Sequence, residues 1–129
     1  MNLPRQRILV VDDNHDSADS LVTAFGVLGH DAVAAYGGDE ALKRLDQVRP
    51  TLLVLDLSMP GMDGYTLARA IRALPGSANL PMVALSGFGS EADRAKSREA
   101  GFDRHMLKPF DLDDLERMLG LADPSSAPA

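Results

Sequence analysis

Five side chains in this sequence have the types and positions to do chemistry together: Asp12, Asp13, Asp56, Ser86 and Lys108. Each ends or directly follows a short apolar segment. Asp12 and Asp13 come after Ile8-Leu-Val-Val11, Asp56 after Leu52-Leu-Val-Leu55, Ser86 after Met82-Val-Ala-Leu85, and Lys108 after His105-Met-Leu107. Two carboxylates ~4 Å apart repel by about 4 kcal/mol at an effective dielectric of 20. Three such pairs are too much for a domain whose whole stability is about 5–15 kcal/mol. Lys108 offsets one negative charge, and a divalent cation with oxygen ligands would offset the rest. Mg²⁺ suits this best, because it accepts a few carboxylates and keeps waters that a phosphate can replace. With the cation bound, Asp56 has the makings of a nucleophile that takes a phosphoryl group as an aspartyl phosphate. A cation, an ammonium and a hydroxyl would then hold the phosphoryl oxygens.

The elements that must bring these groups together can be read from periodicity. The four segments above and Asp31-Ala-Val-Ala-Ala35 are short, rich in branched residues and apolar on both faces, as strands of a buried parallel sheet are. Helical stripes lie between and after them. The first is Ala18, Leu21, Val22, Phe25 and Leu28; the second Ala41, Leu42 and Leu45; the third Leu67, Ala68, Ile71 and Leu74; the last Leu112, Leu115, Met118 and Leu119. Gly29 and Gly101 stand where helix C-termini favour positive φ. Ser90 and Asp93 have capping-box spacing, Asp111 can cap the last helix, and Pro50 stops the second. The fourth helix, Ser90 to Ala100, has only Ala92, Ala95 and Ala100 as apolar residues. Alanines in place of leucines forgo about 1–2 kcal/mol of burial per position, so this helix is expected to be weakly anchored.

Five β-α repeats argue for a doubly wound α/β domain with helices on both faces of a five-stranded parallel sheet. In such sheets ligands bind beyond the carboxyl ends of the strands, at the switch in strand order. With order 2-1-3-4-5, the five candidate side chains converge on one crevice. Residues 1–121 form the domain, and 122–129 are expected to be a frayed tail or the stub of a linker.

Composition narrows the function classes. The chain has 129 residues, the size of one domain. It is 45% apolar and 25% charged, an ordinary globular balance. With no cysteine, it has no disulfides, iron–sulfur cluster or Cys-ligated zinc. The longest apolar run, Ala32 to Tyr36, is far shorter than the ~20 residues that span a bilayer, and the N-terminus lacks a signal-peptide core. These features together point to the cytoplasm. Net charge is −6 and no run of Lys and Arg provides a nucleic-acid footprint. Gly87-Phe-Gly89-Ser-Glu-Ala92 spells a dinucleotide fingerprint, but it follows the fourth strand and no ribose-binding acid ends the next one. A phosphatase of the haloacid-dehalogenase type would need a second Asp at position 58, where Ser58 stands. His15, His30 and His105 form no Ser-His-acid pattern.

Together, Ile8-Leu-Val-Val-Asp-Asp-Asn14, Leu53-Val-Leu-Asp-Leu-Ser-Met-Pro-Gly-Met-Asp-Gly64, Leu85-Ser86 and Leu107-Lys-Pro-Phe110 resemble the receiver domain of two-component response regulators over about Arg7 to Leu121. The resemblance implies that Asp56 is the phosphoacceptor. It also implies that Asp12, Asp13, Asp56 and the Ser58 backbone carbonyl bind Mg²⁺. Ser86 matches the switch hydroxyl and Lys108 the phosphate-pairing lysine, and the Lys108–Pro109 bond is a candidate cis peptide. A histidine kinase or histidine phosphotransfer protein would be the donor. The fourth helix and fifth strand would face a downstream protein, with phosphorylation-dependent dimerisation as one outcome. The chain departs from the family pattern at His105, where the family usually has a Tyr or Phe that swings inward. His105 is either a structural residue or a swinging group whose charge responds near neutral pH. Ser58 and Phe88 match positions flanking the hydrolytic water, so Phe88 either shields the phosphoryl group or packs on the sheet edge. The chain reads as a stand-alone receiver or as one excised from a hybrid kinase. A non-phosphorylated interaction scaffold and a Mg²⁺-dependent phosphatase acting on small phosphates are the rival readings.

Overall fold

The computed structural model describes residues 5–59, 63–87, 91–108 and 111–122. The elements alternate as the periodicity predicts: β1 (Arg7–Val11), α1 (His15–Val27), β2 (Asp31–Ala35), α2 (Gly38–Val48), β3 (Leu52–Asp56), α3 (Gly64–Arg72), β4 (Met82–Ser86), α4 (Glu91–Ala100), β5 (Arg104–Leu107) and α5 (Leu112–Ala122). The sheet is entirely parallel, in the order β2-β1-β3-β4-β5. β1 pairs with β3 from Ile8 opposite Leu52 to Val11 opposite Leu55. Asp12 therefore emerges beside the end of the strand that carries Asp56.

Alternation along the central strands divides the core into two apolar layers. Leu9, Val11, Leu53, Leu55, Met82 and Ala84 face α2 and α3, where Ala41, Leu45, Leu67, Ala68 and Ile71 meet them. Ile8, Val10, Leu52, Val54, Val83 and Leu85 face α1 and α5, against Ala18, Leu21, Phe25, Leu115, Met118 and Leu119. β3 and β4 are buried over their whole length, so the residues that end them have rigid supports.

Local signals fix the element ends. Gly29 (φ 91°) and Gly101 (φ 109°) take the left-handed conformation expected of them. Asp111 accepts the Asp114 N–H at 2.9 Å, and Asp114 accepts the Asp111 N–H at 3.0 Å, a reciprocal cap on α5. Two apolar residues leave the predicted stripes. Leu74 lies beyond α3 and is 40% exposed, because the chain turns after Ala73, whose N–H caps Arg69. Leu112 is 44% exposed in the first turn of α5, before the helix settles onto the sheet. On α4, Ser97 and Ala100 are buried and Ala95 is half-buried. The Ser90–Asp93 cap, Phe88, the Lys108–Pro109 bond and the tail from Asp123 lie outside the described residues.

Candidate functional site

Parallel strands end at one edge of the sheet, and the acidic side chains gather there. A carboxylate oxygen from each of Asp12, Asp13 and Asp56 lies within 4.8 Å of the others. Asp12 and Asp56 are buried, while Asp13 is exposed. The backbone sets these positions. The Asp12 N–H donates to the Ala35 carbonyl at 3.1 Å, extending the β1–β2 ladder by one residue. The Leu57 N–H donates to the Leu85 carbonyl at 3.0 Å and holds the chain after Asp56 against β4.

Each buried carboxylate is oriented by a backbone amide two residues on. The Asn14 N–H donates to Asp12 Oδ1 at 3.0 Å, and the Ser58 N–H to Asp56 Oδ1 at 3.0 Å. Asn14 also caps α1 by accepting the Ser17 N–H at 3.0 Å. Lys108 reaches in from the end of β5, its Nζ 3.2 Å from Asp56 Oδ2 and 4.0 Å from Asp12 Oδ2. The Lys108 N–H donates to the Ser86 carbonyl at 2.9 Å. Ser86 is buried at the end of β4, next to Leu85, the register partner of Asp56.

The charge balance follows from this geometry. Burial pushes the Asp12 carboxyl up to about 6, and the neighbouring Asp56 adds to the rise. The Asn14 amide and the Lys108 ammonium pull the other way without cancelling it. A cluster of hard oxygen donors with uncompensated negative charge fits a small divalent cation. Asp12, Asp13 and Asp56 are the groups able to hold one.

The structure brings Asp12, Asp13, Asp56 and Lys108 together, with Ser86 at the end of β4 and Ser58 two residues after Asp56 beside them. His105 is not in the acidic cluster. It is half-buried on β5, its Nδ1 3.0 Å from Ser97 Oγ, and Ser97 Oγ also donates to the Asp93 carbonyl at 3.1 Å. Three contributors escape the sequence reading. Ser97 is one, although it lies one turn from Ala100 on the helix face that packs inward. Asn14 is the second, with N-cap spacing to Ser17. Gly64 is the third: a Cβ there would lie 2.7 Å from the Asp56 carbonyl oxygen and 2.8 Å from Leu57 Cα. Its missing side chain lets the first turn of α3 close on the backbone that presents Asp56. Asp63 caps that turn by accepting the Thr66 N–H at 2.8 Å, which holds its own carboxyl below the usual range.

Residues 8–120 match the family model described as the response regulator receiver domain. An uncharacterised 14.6 kDa protein from Leptolyngbya boryana is 38% identical over 117 residues, covering 91% of this chain and 89% of that protein. The transcriptional regulatory protein PrrA of Mycobacterium leprae is 38% identical over 109 residues, covering 84% of this chain and 46% of PrrA. The chain thus spans about half the length of PrrA, and 47% of the probable transcriptional regulator ycf27 of Cyanophora paradoxa. Among solved structures, a putative response regulator from Chloroflexus aurantiacus superposes with a TM-score of 0.85 at 30% identity, covering 92% of this chain and 97% of that one. The receiver domain of the sensor histidine kinase PA1611 from Pseudomonas aeruginosa, solved with a magnesium ion in its active-site cleft, superposes with a TM-score of 0.80 at 29% identity, covering 89% and 94%. By the matched family model and these likenesses, the chain belongs to the family of response regulator receiver domains.

Proposed function

We propose that the chain is a phosphoacceptor switch of a two-component phosphorelay, with Asp56 as the acceptor. The observation that carries this reading is Lys108 Nζ poised 3.2 Å from Asp56 Oδ2 beside the Asp12–Asp13–Asp56 cluster. Asp56 Oδ1 is occupied by the Ser58 N–H, so Oδ2, on the Lys108 side, is the oxygen placed to attack. That oxygen forms an O–P bond as the N–P bond of a phosphohistidine donor breaks. The donor imidazole leaves with the bonding pair and takes a proton from solvent. Mg²⁺, held by Asp12, Asp13, Asp56 and the Ser58 carbonyl, would neutralise charge on the phosphoryl oxygens.

Lys108 and Ser86 supply the remaining contacts. The phosphoryl group adds a charge of about −1.5 to −2, which draws the Lys108 ammonium and the Ser86 hydroxyl towards it. Ser86 ends β4 and Lys108 directly follows β5, so a shift there is passed to the α4–β5 surface that a downstream partner reads. The donor is a histidine kinase or phosphotransfer protein. Residues 1–121 make up the receiver unit, and its setting is the cytoplasm. No described helix is long and apolar enough to cross a membrane.

Intact mass after treatment with a small phosphodonor and Mg²⁺ tests the reading. Wild type is expected to gain one phosphoryl group, and neither Asp56→Asn nor wild type in EDTA should. Equal gain by Asp56→Asn, or no gain by wild type, overturns it.

A further inference from the structure

At the end of the sheet opposite the acidic cluster, a cavity of about 660 Å³ lies between the C-terminus of α2 and the loop that joins α3 to β4. Its apolar walls are Leu42 and Leu45 from α2 and Leu74 and Leu80 from the loop. Leu74 is 40% exposed, and Leu42 and Leu80 are half-buried, so this lining is open to solvent. The loop is held in place. The Arg72 guanidinium donates to the Ser77, Ala78 and Leu80 carbonyls, and the Ser77 N–H donates to the Leu74 carbonyl at 3.2 Å. The cavity is thus formed before any ligand arrives.

Two charged residues line it, Asp46 and Arg49, and neither makes an ion pair among the described residues. Arg49 caps α2 in the left-handed conformation, with φ 49°, where glycine is the usual residue. It is the one described non-glycine residue at positive φ, and such strained positions gather at ligand clamps. Its N–H donates to the Leu45 carbonyl at 2.9 Å, and its carbonyl accepts from Arg7 Nε at 3.0 Å, which pins the backbone there. The last turn of α2 itself has no basic residue, so the negative end of the helix dipole adds to the Asp46 carboxylate.

We propose that this cavity binds a free α-amino acid with a branched or aromatic apolar side chain. Its carboxylate pairs with the Arg49 guanidinium, which can take both oxygens at once. Its ammonium pairs with Asp46 at the C-terminal end of α2, and its side chain lies among the four leucines. A zwitterion uses both charges of the lining. A simple carboxylate would leave Asp46 without a partner, and a simple amine would leave Arg49 without one. The site is separate from the phosphoacceptor, since Pro50 at the cavity precedes β3 and Asp56 ends it. This goes beyond the phosphorelay reading and gives the domain a small-molecule ligand of its own.

The test is an NMR titration of the unphosphorylated full chain with L-leucine and with L-phenylalanine. Amide shifts are expected on Leu42–Arg49 and Leu74–Leu80. Two analogues each lack one charge: L-leucinamide has no carboxylate and isocaproate has no ammonium. Each should bind about tenfold or more weakly than L-leucine. Arg49→Gln and Asp46→Asn should weaken L-leucine by a similar factor, while Lys43→Gln on the same helix should change little; all three positions are exposed. No shifts with either amino acid, or shifts centred elsewhere, overturn the proposal. So does isocaproate or leucinamide binding as tightly as L-leucine, which would make the ligand a simple acid or a simple amine. Weakening by Lys43→Gln equal to that by Arg49→Gln also overturns it. None of these readouts requires Asp56 to be phosphorylated, so this inference and the phosphorelay reading can fail separately.

Discussion

Replacing Asp12 by Asn should stabilise the protein in the absence of Mg²⁺. The Asp12 carboxyl is raised from 3.8 to about 6, chiefly by burial and further by Asp56. At about 1.4 kcal/mol per tenfold change in acidity, holding Asp12 ionised costs the folded state about 3 kcal/mol. The direction with pH follows from linkage. The folded carboxyl keeps its proton to a higher pH than the unfolded one, so the cost is fully present above about pH 6 and disappears as pH falls towards 3.8. An Asn retains an oxygen for the Asn14 N–H and removes the charge facing Asp56, although it also gives up the attraction of Lys108. The expected gain is about 1–3 kcal/mol at pH 8 in EDTA, shrinking to near zero by pH 4. Saturating Mg²⁺ should offset most or all of that gain. A ligand at a hundred times its Kd stabilises the wild type by about 2.7 kcal/mol, and the variant has lost a candidate metal ligand. Urea unfolding of both proteins at pH 8, 6 and 4, with EDTA and with Mg²⁺, measures each quantity. A variant less stable than wild type at pH 8 in EDTA refutes the reasoning, as does a difference that does not change with pH.

Gly64→Ala should cost about 1–3 kcal/mol in urea unfolding, the range for overpacking, and slow phosphorylation of Asp56, because both clashing atoms are backbone. Arg72→Lys should cost about 2–3 kcal/mol. The Arg72 guanidinium donates to the carbonyls of Ser77, Ala78, Leu80 and Gly101 and to Asp103, and an ammonium cannot span that set. His30 accepts the Gln6 N–H through Nδ1, and burial lowers its pKa from 6.5. It therefore stays neutral in the fold, and its contribution should be lost as pH drops below 6.5, with His30→Gln flattening that part of the stability profile. This loss runs opposite to the Asp12 effect, so the Asp12 experiment must compare variant with wild type at each pH. Hydrogen exchange should find the α4 amides less protected than those of α1 or α3, since α4 docks through Ser97 and Ala100 where the others bury Phe25, Leu67 or Ile71.

Strands and apolar helix stripes were legible because their signals are local and repeat with a fixed period. So were Asp12, Asp13, Asp56 and Lys108, since topology alone sends the ends of parallel strands to one place. Gly64 was not, because its role depends on how closely α3 meets the backbone after Asp56, a distance that no spacing encodes. Ser97 reads as a polar residue on a polar helix. Only the packing of α4 against β5 brings its hydroxyl to His105 and buries it. Leu74 and Leu112 show the opposite error: correct periodicity, extended one position past the point where the helix meets the sheet.

The same arrangement explains how so small a domain tolerates a strained acidic site. Asp12 and Asp56 extend from strands whose side chains fill two dry layers, so neither carboxylate can back away into solvent without breaking the ladder bonds from Asp12 to Ala35 and from Leu57 to Leu85. The electrostatic cost is therefore retained in the fold, where a cation or a proton can relieve it. Lys108 is the point at which that relief can be read elsewhere. Its backbone N–H is tied to Ser86 and its ammonium to Asp56, while the residue before it, Leu107, is 39% exposed on β5, the edge strand among the described residues. A change of charge at Asp56 thus acts on a residue continuous with that strand. Beside it, the described buried side chains of α4 are Ser97 and Ala100, so the rigid strands that hold the charge border a helix with a small described apolar contact.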